Sequence, residues 1–309
     1  MIAALVVTFN RRDLLERCLS ALALQSQPPD LLLVIDNAST DGTPEWLQSS
    51  WVSNIPFAEC IYLTSNRGGA GGFSAGMQIA MDRGVDWIWM MDDDAEPHAN
   101  ALHHLEAVAD NPHNLYGSLA VSSGDTAWET TLLEDDSRQV TRTVTVNRVV
   151  DIPLIARVES LPFLGFMVHT NLMEQIGLPD SEFFLAADDS EYCQRARRSG
   201  SEIILVSESR IEHPKSERYH VRLLGQSVTF LSLPPWKRYY DTRNRLLIAY
   251  KYYGPLLLVT QTIPGSFIRL FAALRYEPRK RAQLWAFCAG FVDGLLKRKG
   301  KRHHLWHIQ

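Results

Sequence analysis

The stretch AALVVTFNRRDLLERCLSALALQSQPPDLLLVID, residues 3–36, decides the fold. Ala3 to Phe9 is apolar and β-branched, the signature of a strand buried on both faces. Arg12 to Leu24 places Leu14, Leu15, Cys18, Leu19 and Leu22 at helical spacing. Leu31 to Asp36 (LLLVID) is a second buried strand. A strand, a crossover helix and another buried strand imply parallel pairing, because a parallel pair needs such a crossover.

The same alternation continues. NASTDGT has turn chemistry, with Asp41 or Thr43 placed to cap a short helix. Cys60 to Leu63 is a third strand, Ser74 to Arg83 a helix entered through a glycine-rich loop, and Trp87 to Met91 a fourth strand. This order predicts an α/β fold with a mainly parallel sheet covered by helices on both faces. Ligands of such sheets bind beyond the carboxyl ends of the strands. Further on, VTRTVTVNRVV alternates like an exposed hairpin, Leu161 to His169 reads as buried and extended, and Asn171 to Ile176 and Ser190 to Ser199 read as helices. Ile203 to Val206 is a strand. Beyond Leu223 the chain turns aromatic and helical, with Pro234, Pro235, Gly254, Pro255 and Pro264 as breakers.

Composition narrows the function. The chain has 309 residues, 46% of them apolar, and a formal charge of −4, so it carries no overall basic field that would suit nucleic acid. From Arg275 onward nine Lys and Arg face two acidic residues, a local +7 that leaves −11 for the rest. A basic tail on an acidic body points to an anionic membrane surface as its partner. Leu256 to Leu274 resembles a helix lying in the membrane plane, a core helix with a solvated basic end being the alternative. It is a poor candidate for a span, being interrupted by Gln261, Pro264 and Arg269. Cys18, Cys60, Cys193 and Cys288 have no metal or redox spacing, so a reducing compartment is expected. MIAALVVTF lacks a basic lead and reads as a strand rather than a signal peptide.

Four segments carry chemistry. In WIWMMDDDAEP, three carboxylates follow directly on a buried strand. On an extended segment Asp92 and Asp94 would point the same way and could share a Mg²⁺ or Mn²⁺ completed by substrate phosphates. A solvated acidic turn is the competing reading. In LTSNRGGAGGFSAGM, Gly68, Gly69, Gly71 and Gly72 permit close backbone approach ahead of a helix start that favours an anion. The spacing matches neither GxGxxG nor a P-loop, and a flexible turn serves equally. In FFLAADDSEYCQRARRSG, Asp188 and Asp189 stand at a helix N-terminus. One can cap it, and the other is available as a general base. In SRIEHPKS, His213 follows a strand; it is either structural or the completing ligand of the metal site.

Taken in order, these segments resemble family-2 glycosyltransferases with the GT-A (Rossmann-like) fold, over roughly the first 215 residues. VVTFNRRDLLERCLSAL is similar to the donor-binding opening, VIDNASTDGT to the uridine-binding strand end, MDDDAEP to the DxD segment and FFLAADDSEYCQRARRSG to the catalytic-base segment. Within the family, the pattern resembles bacterial galactofuranosyltransferases most, and next the rhamnosyltransferases, which share the segment YYDTRN (Tyr239 to Asn244).

The resemblance implies a catalytic domain over residues 1–222, with a nucleotide-sugar half to about residue 97, an acceptor half after it, and a helical extension over 223–309. It implies Asp92, Asp94 and His213 on Mn²⁺ or Mg²⁺, Asp93 on the donor's ribose or sugar, Asp189 as base and Asp188 as acceptor-orienting group. Thr8, Phe9, Asn10, Arg11, Asp36 and Asn66, with Gly71 and Gly72, would line the nucleotide pocket, and Arg243 would approach the acceptor or diphosphate. The partners implied are a UDP-sugar and a glycan or lipid-linked glycan acceptor, handled at the cytoplasmic face of the inner membrane, with the oligomeric state open. The large galactofuran polymerases carry additional domains at both ends, so transfer of one or a few residues is expected here. A sugar-nucleotide-binding protein without turnover, and a nucleotidyltransferase releasing pyrophosphate, are the alternatives from other classes.

Overall fold

The computed structural model describes residues 1–48, 55–135, 141–223 and 226–308. Its first strand, β1 (Ile2–Thr8), is followed by α1 (Arg12–Ala23), β2 (Leu31–Asp36), α2 (Thr43–Leu47), β3 (Ala58–Tyr62), α3 (Gly68–Asp82) and β4 (Trp87–Asp92). β1 pairs in parallel with β2 on one side and β4 on the other, and β2 with β3, as the crossover helices require.

Alternation along β1 feeds two cores. Ala3, Leu5 and Val7 meet Phe73, Met77 and Ala80 of α3. Ala4 and Val6 meet Leu15, Cys18, Leu19 and Leu22 of α1. Both faces are therefore covered, which is why the strand is apolar throughout rather than alternating.

The second part of the sheet is mixed. A two-residue strand β5 (Glu96–Pro97) and α4 (Ala101–Glu106) lead to β6 (Leu115–Ser122) and β7 (Asp125–Thr126). A hairpin of β8 (Thr130–Asp135) and β9 (Thr141–Val146) follows; the alternating stretch read as a hairpin supplies only its second strand. Then come β10 (Ile155–Arg157), β11 (Phe166–His169), α5 (Thr170–Ile176), α6 (Asp188–Arg198) and β12 (Ile203–Glu212). The strand order is β10-β12-β6-β11-β4-β1-β2-β3, with β11 antiparallel to both β4 and β6. β12 runs parallel to β6 with a register shift between Val206 and Arg210.

The remaining elements are a hairpin, β13 (Arg218–Leu223) with β14 (Gln226–Leu231), then α7 (Pro235–Tyr252), α8 (Gly254–Leu257), a π-helical turn (Leu258–Thr262), α9 (Ile263–Tyr276) and α10 (Lys280–Leu295). The hairpin was not expected; its alternation (RYHVRL, QSVTFL) sits beside an aromatic helical stretch that dominated the reading.

Pro264 does not break the chain as expected. The wider i→i+5 turn before it absorbs the missing N–H, so the helical run from Gly254 to Tyr276 continues for 23 residues. Its mean hydropathy reaches 1.4, and by length and composition it is long and apolar enough to cross a membrane.

The chain resolves into two compact units. One comprises Met1–Pro179 with Asp189–Lys215; the other comprises Asp180–Asp188 with Ser216–Gln309. The expected boundary at residue 222 falls inside the β13–β14 hairpin, and the nine residues 180–188 belong with the C-terminal unit.

Candidate active site

Strand register sets the site. Thr8 lies opposite Asp36, and Val7 opposite Asp92, so the polar residues that end β1, β2 and β4 share one edge of the sheet. Thr8 is buried and donates its hydroxyl to Asp93 Oδ2 at 2.8 Å. Arg11 Nη1 stands between two carboxylates, 3.3 Å from Asp93 Oδ1 and 2.8 Å from Asp94 Oδ2.

The expectation that Asp92 and Asp94 project together assumed an extended segment. The chain instead turns after Asp92, whose carbonyl accepts from the amide of Ala95 at 3.3 Å. The side-chain alternation of a strand is lost at that turn. Asp92 is exposed at the strand end, and Asp93 and Asp94 share Arg11.

His213 arrives through β5. Pro97 pairs with Ile211 and Glu96 with Glu212, so the residue after β12 comes to lie beside the acidic turn. The slip in β12 sets that register, and His213 N–H bonds Val121 O at 2.9 Å. His213 Nε2 then lies 3.3 Å from Asp94 Oδ1, near enough for an ion pair but without hydrogen-bond alignment. Trp128 meets the imidazole edge-on at 5.5 Å.

These contacts set the charges. Burial is the largest influence on Asp93 and pushes its carboxyl above the usual range, against the pull of Thr8 and Arg11. Burial would raise Asp94 too, but His213 and Arg11 outweigh it and hold that carboxyl below its ordinary value. Burial opposes the charge on Arg11 as well, yet Asp93 and Asp94 together hold its guanidinium above its ordinary value.

Asp94 Oδ1 and His213 Nδ1 are both buried without a hydrogen-bond partner. Asp94 Oδ1 and His213 Nε2, 3.3 Å apart, are an oxygen and an imidazole nitrogen of the kind that suit a divalent ion of the Mn²⁺ type. Among the described residues no three His, Cys, Asp or Glu side chains gather as a possible ion site. Of the three residues expected at the ion, Asp94 and His213 are in contact.

The neighbouring strand end is built from turns. Asp36 is buried and accepts from the amide of Ser39. Asn10 takes a left-handed conformation, φ 54°, and its Oδ1 accepts from the amide of Thr40 at 2.7 Å, tying the loops after β1 and β2 together. Phe9 beside it is exposed. Asn66 Oδ1 accepts from the amide of Gly68 at 2.8 Å. Asn37, which sequence reasoning passed over, donates to Gly68 O and accepts from Arg67 N–H, fixing the start of α3.

The glycines are not a loop. Gly68 to Gly72 form the first turns of α3, and a Cβ at Gly72 would sit inside van der Waals contact of Val7. Gly76 meets Leu5 and Ile35 in the same way. The structure therefore gives Gly71 and Gly72, expected at the nucleotide, buried places in the helix, and Gly72 lets α3 pack closely on β1.

Asp189, half-buried, heads α6 and accepts from the amide of Ser190 at 2.6 Å. One turn later Tyr192 packs on Phe163 and Phe166, and Phe166 pairs with Met90 two residues before Asp92. Asp188, also half-buried, precedes it as the last residue of the C-terminal unit's share of this loop. Arg243, expected near the acceptor or diphosphate, is fully buried in α7 and donates to main-chain carbonyls instead.

Comparison with known proteins follows this geometry. The model of "Glycosyl transferase family 2" matches residues 3–157. The galactofuranosyltransferase GlfT1 of Mycobacterium tuberculosis is 33% identical over 251 residues, 78% of this chain and 80% of its own. The dTDP-rhamnosyl transferase RfbF of Shigella flexneri is 21% identical over 294 residues, 95% of each chain. GalNAc-T7, solved with UDP, GalNAc and Mn²⁺, superposes with a TM-score of 0.60 at 14% identity, over 96% of this chain and 56% of that one. With its nucleotide-side strand ends, its acidic turn and its GT-A architecture, this chain belongs to glycosyl transferase family 2.

Proposed function

We propose that this glycosyltransferase moves galactofuranose from UDP-galactofuranose to a hydroxyl of a glycan or lipid-linked glycan, with inversion and with a divalent ion. The observation that carries the metal part is the buried, hydrogen-bond-free Asp94 Oδ1 facing His213. Mn²⁺ or Mg²⁺ bound there would offset the charge that builds on the departing nucleoside diphosphate. Support for the sugar is the 33% identity to a galactofuranosyltransferase.

In this reading Asp94 and His213, together with Asp92, would hold the ion. Asp93, fixed by Thr8 and Arg11, faces the donor's ribose or sugar. Asp36 and Asn66, with Phe9 and Asn10, frame the base and ribose. Asp189 takes the proton from the attacking hydroxyl, and Asp188 orients the acceptor. A single displacement inverts the anomeric carbon.

Calorimetry of UDP, dTDP and GDP, each with and without Mn²⁺, tests the donor and the ion together. Mn²⁺-dependent preference for UDP is expected. Preference for dTDP would favour a rhamnosyltransferase, the reading supported by the relative that spans 95% of both chains. Asp94→Ala and His213→Ala should each abolish the Mn²⁺ dependence, and an unchanged affinity would remove them from the metal site. Asp189→Asn should lose roughly 10²-fold or more in turnover while keeping donor affinity, the scale of a positioned base.

The C-terminal unit supports a peripheral membrane location at the cytoplasmic face. Leu256, Val259, Phe267 and Phe271 are exposed along the helical run from Gly254, and Arg279, Lys280 and Arg281 follow it on the surface. An apolar face bordered by cations suits the headgroup boundary of an anionic bilayer. The cations nearer the chain end have internal partners. Lys299 pairs with Asp180, Arg298 and Arg302 pair with Asp293, and Lys301 lies over Phe184.

A further inference from the structure

The loop ahead of the proposed base is strained and held from one side. Phe184, Ala186 and Ala187 all have positive φ, 65°, 69° and 60°. Each residue with a Cβ in this region costs about 1–2 kcal/mol, so the run persists only where surrounding contacts enforce it. Those contacts come from two consecutive residues of α7. Asn244 Nδ2 lies 3.1, 2.8 and 2.7 Å from the carbonyls of Phe183, Leu185 and Ala186. Arg243 donates to Phe183 O at 2.7 Å and Gly300 O at 2.6 Å, and its Nε–H bonds Asn244 Oδ1 at 2.8 Å.

Both side chains are completely buried. Arg243 has the rings of Tyr239 and Tyr240 at 5.6 and 4.8 Å, so its charge meets carbonyl dipoles and aromatic faces. A second layer comes from the chain end, where Gly300 N–H bonds Glu182 O at 2.7 Å and Lys299 Nζ reaches Asp180 at 2.6 Å. Phe184 stacks on Tyr240, and Leu185 and Ala186 pack on the same aromatic cluster.

Burying a guanidinium is costly, and an apolar side chain of similar volume would fill the space with less loss. What Arg243 and Asn244 add is direction: their donors fix the peptide planes of residues 183 to 186. Ala187 then leads directly into Asp188 and Asp189. We propose that Arg243 and Asn244 are positioning residues, a clamp that holds residues 183–187 in their left-handed course and thereby aims the carboxylates at the head of α6. The inference rests on the reading of Asp189 as base and assigns Arg243 and Asn244 of the YYDTRN segment a supporting task.

A double-mutant cycle tests it. Asn244→Leu removes the three donor contacts at similar volume. Amide hydrogen exchange at 184–190 should rise at least tenfold, with β1 and β4 unchanged. Turnover of UDP-galactofuranose with an octyl glycoside acceptor should fall about 10²-fold, the scale of an ångström-level misplacement, with the donor KM within threefold. In an Asp189→Asn background the same substitution should cost less than threefold further, because the group it aims is already gone.

Equal fractional losses in both backgrounds would overturn the clamp while leaving the base in place. Normal turnover of Asp189→Asn alone would overturn the base and the clamp with it. Unchanged exchange at 184–190 would overturn the clamp whatever the kinetics. Should Asn244→Leu fail to fold by thermal melt, Asn244→Asp keeps the acceptor for Arg243 and removes the same donors, with the same expected outcomes.

Discussion

Gly72 shows how a single residue can be misassigned between packing and binding. Its sequence context suggested a backbone approaching an anion, yet the approach in the structure is to Val7 of β1. Gly72→Ala should therefore destabilise the fold by about 1–3 kcal/mol, the usual cost of overpacking, measurable by urea unfolding. Full stability with weakened UDP binding would restore the anion reading. The acidic turn carries the complementary lesson. The three aspartates and His213 were individually legible as chemistry-bearing types. The course of the segment was not, because strand alternation was carried from Asp92 to Asp94, past the point where the chain turns. Nor could spacing show the meeting of Asp94 and His213, which depends on the two-residue strand β5 and a slip in β12.

At the scale of elements, the parallel strands β1 to β4 were readable almost to the residue. β1, β2 and β4 are buried on both faces and β3 is half-buried at the sheet edge, and each is separated from the next by a helix-length segment or by turn chemistry. In the mixed half only β11 and β12 of the main sheet were legible as extended; β6 and β10 were not, and the antiparallel insertion of β11 between β4 and β6 leaves no local trace. The β13–β14 hairpin was missed. Pro264 was read as a stop because the sequence does not announce a π-helical turn. The exposed face of the run containing that turn yields an element-level prediction. Phe271, 62% exposed, should insert into the headgroup boundary. Phe271→Glu should reduce co-sedimentation with vesicles of phosphatidylglycerol by roughly tenfold, since burying such a side chain is worth about 1.5–3 kcal/mol. Turnover on a soluble acceptor should be preserved. Equal binding of both proteins would rule this face out as an anchor.

Across the molecule, the notable departure from the sequence reading is the path of the chain between its two units. The expected division was a simple cut after residue 222. The C-terminal unit in fact reclaims residues 180–188 and closes around Asp293, which is completely buried. Asp293 accepts from Tyr239 O–H at 2.6 Å, Trp306 Nε1 at 2.9 Å and Arg302 Nε at 3.1 Å. Burial alone would raise its carboxyl, but these donors outweigh it and hold it below the ordinary range. A depressed folded-state value stabilises the fold above the unfolded value near 4, and that contribution is lost as pH falls through the folded value. Asp293→Asn should thus melt well below the parent protein at pH 7, by about 3 kcal/mol in stability. The difference should shrink below pH about 4. A gap of constant size down to pH 2 would show that the carboxylate's charge is not what matters.

The reclaimed segment also carries a schedule. During synthesis, residues 180–188 leave the ribosome about a hundred residues ahead of Gly300, roughly five to twenty seconds at ordinary elongation rates. Early in that interval Phe184 lacks Tyr239 and Tyr240, and throughout it lacks Trp306 and Ile308 of the same cluster. We expect nascent chains stalled before Lys299 to bind nucleotide yet fail to turn over, and chaperones to crosslink to Phe184 until residues 299–308 have been made. Nascent chains of that length already fully active would show that seating this loop does not wait for residues 299–308.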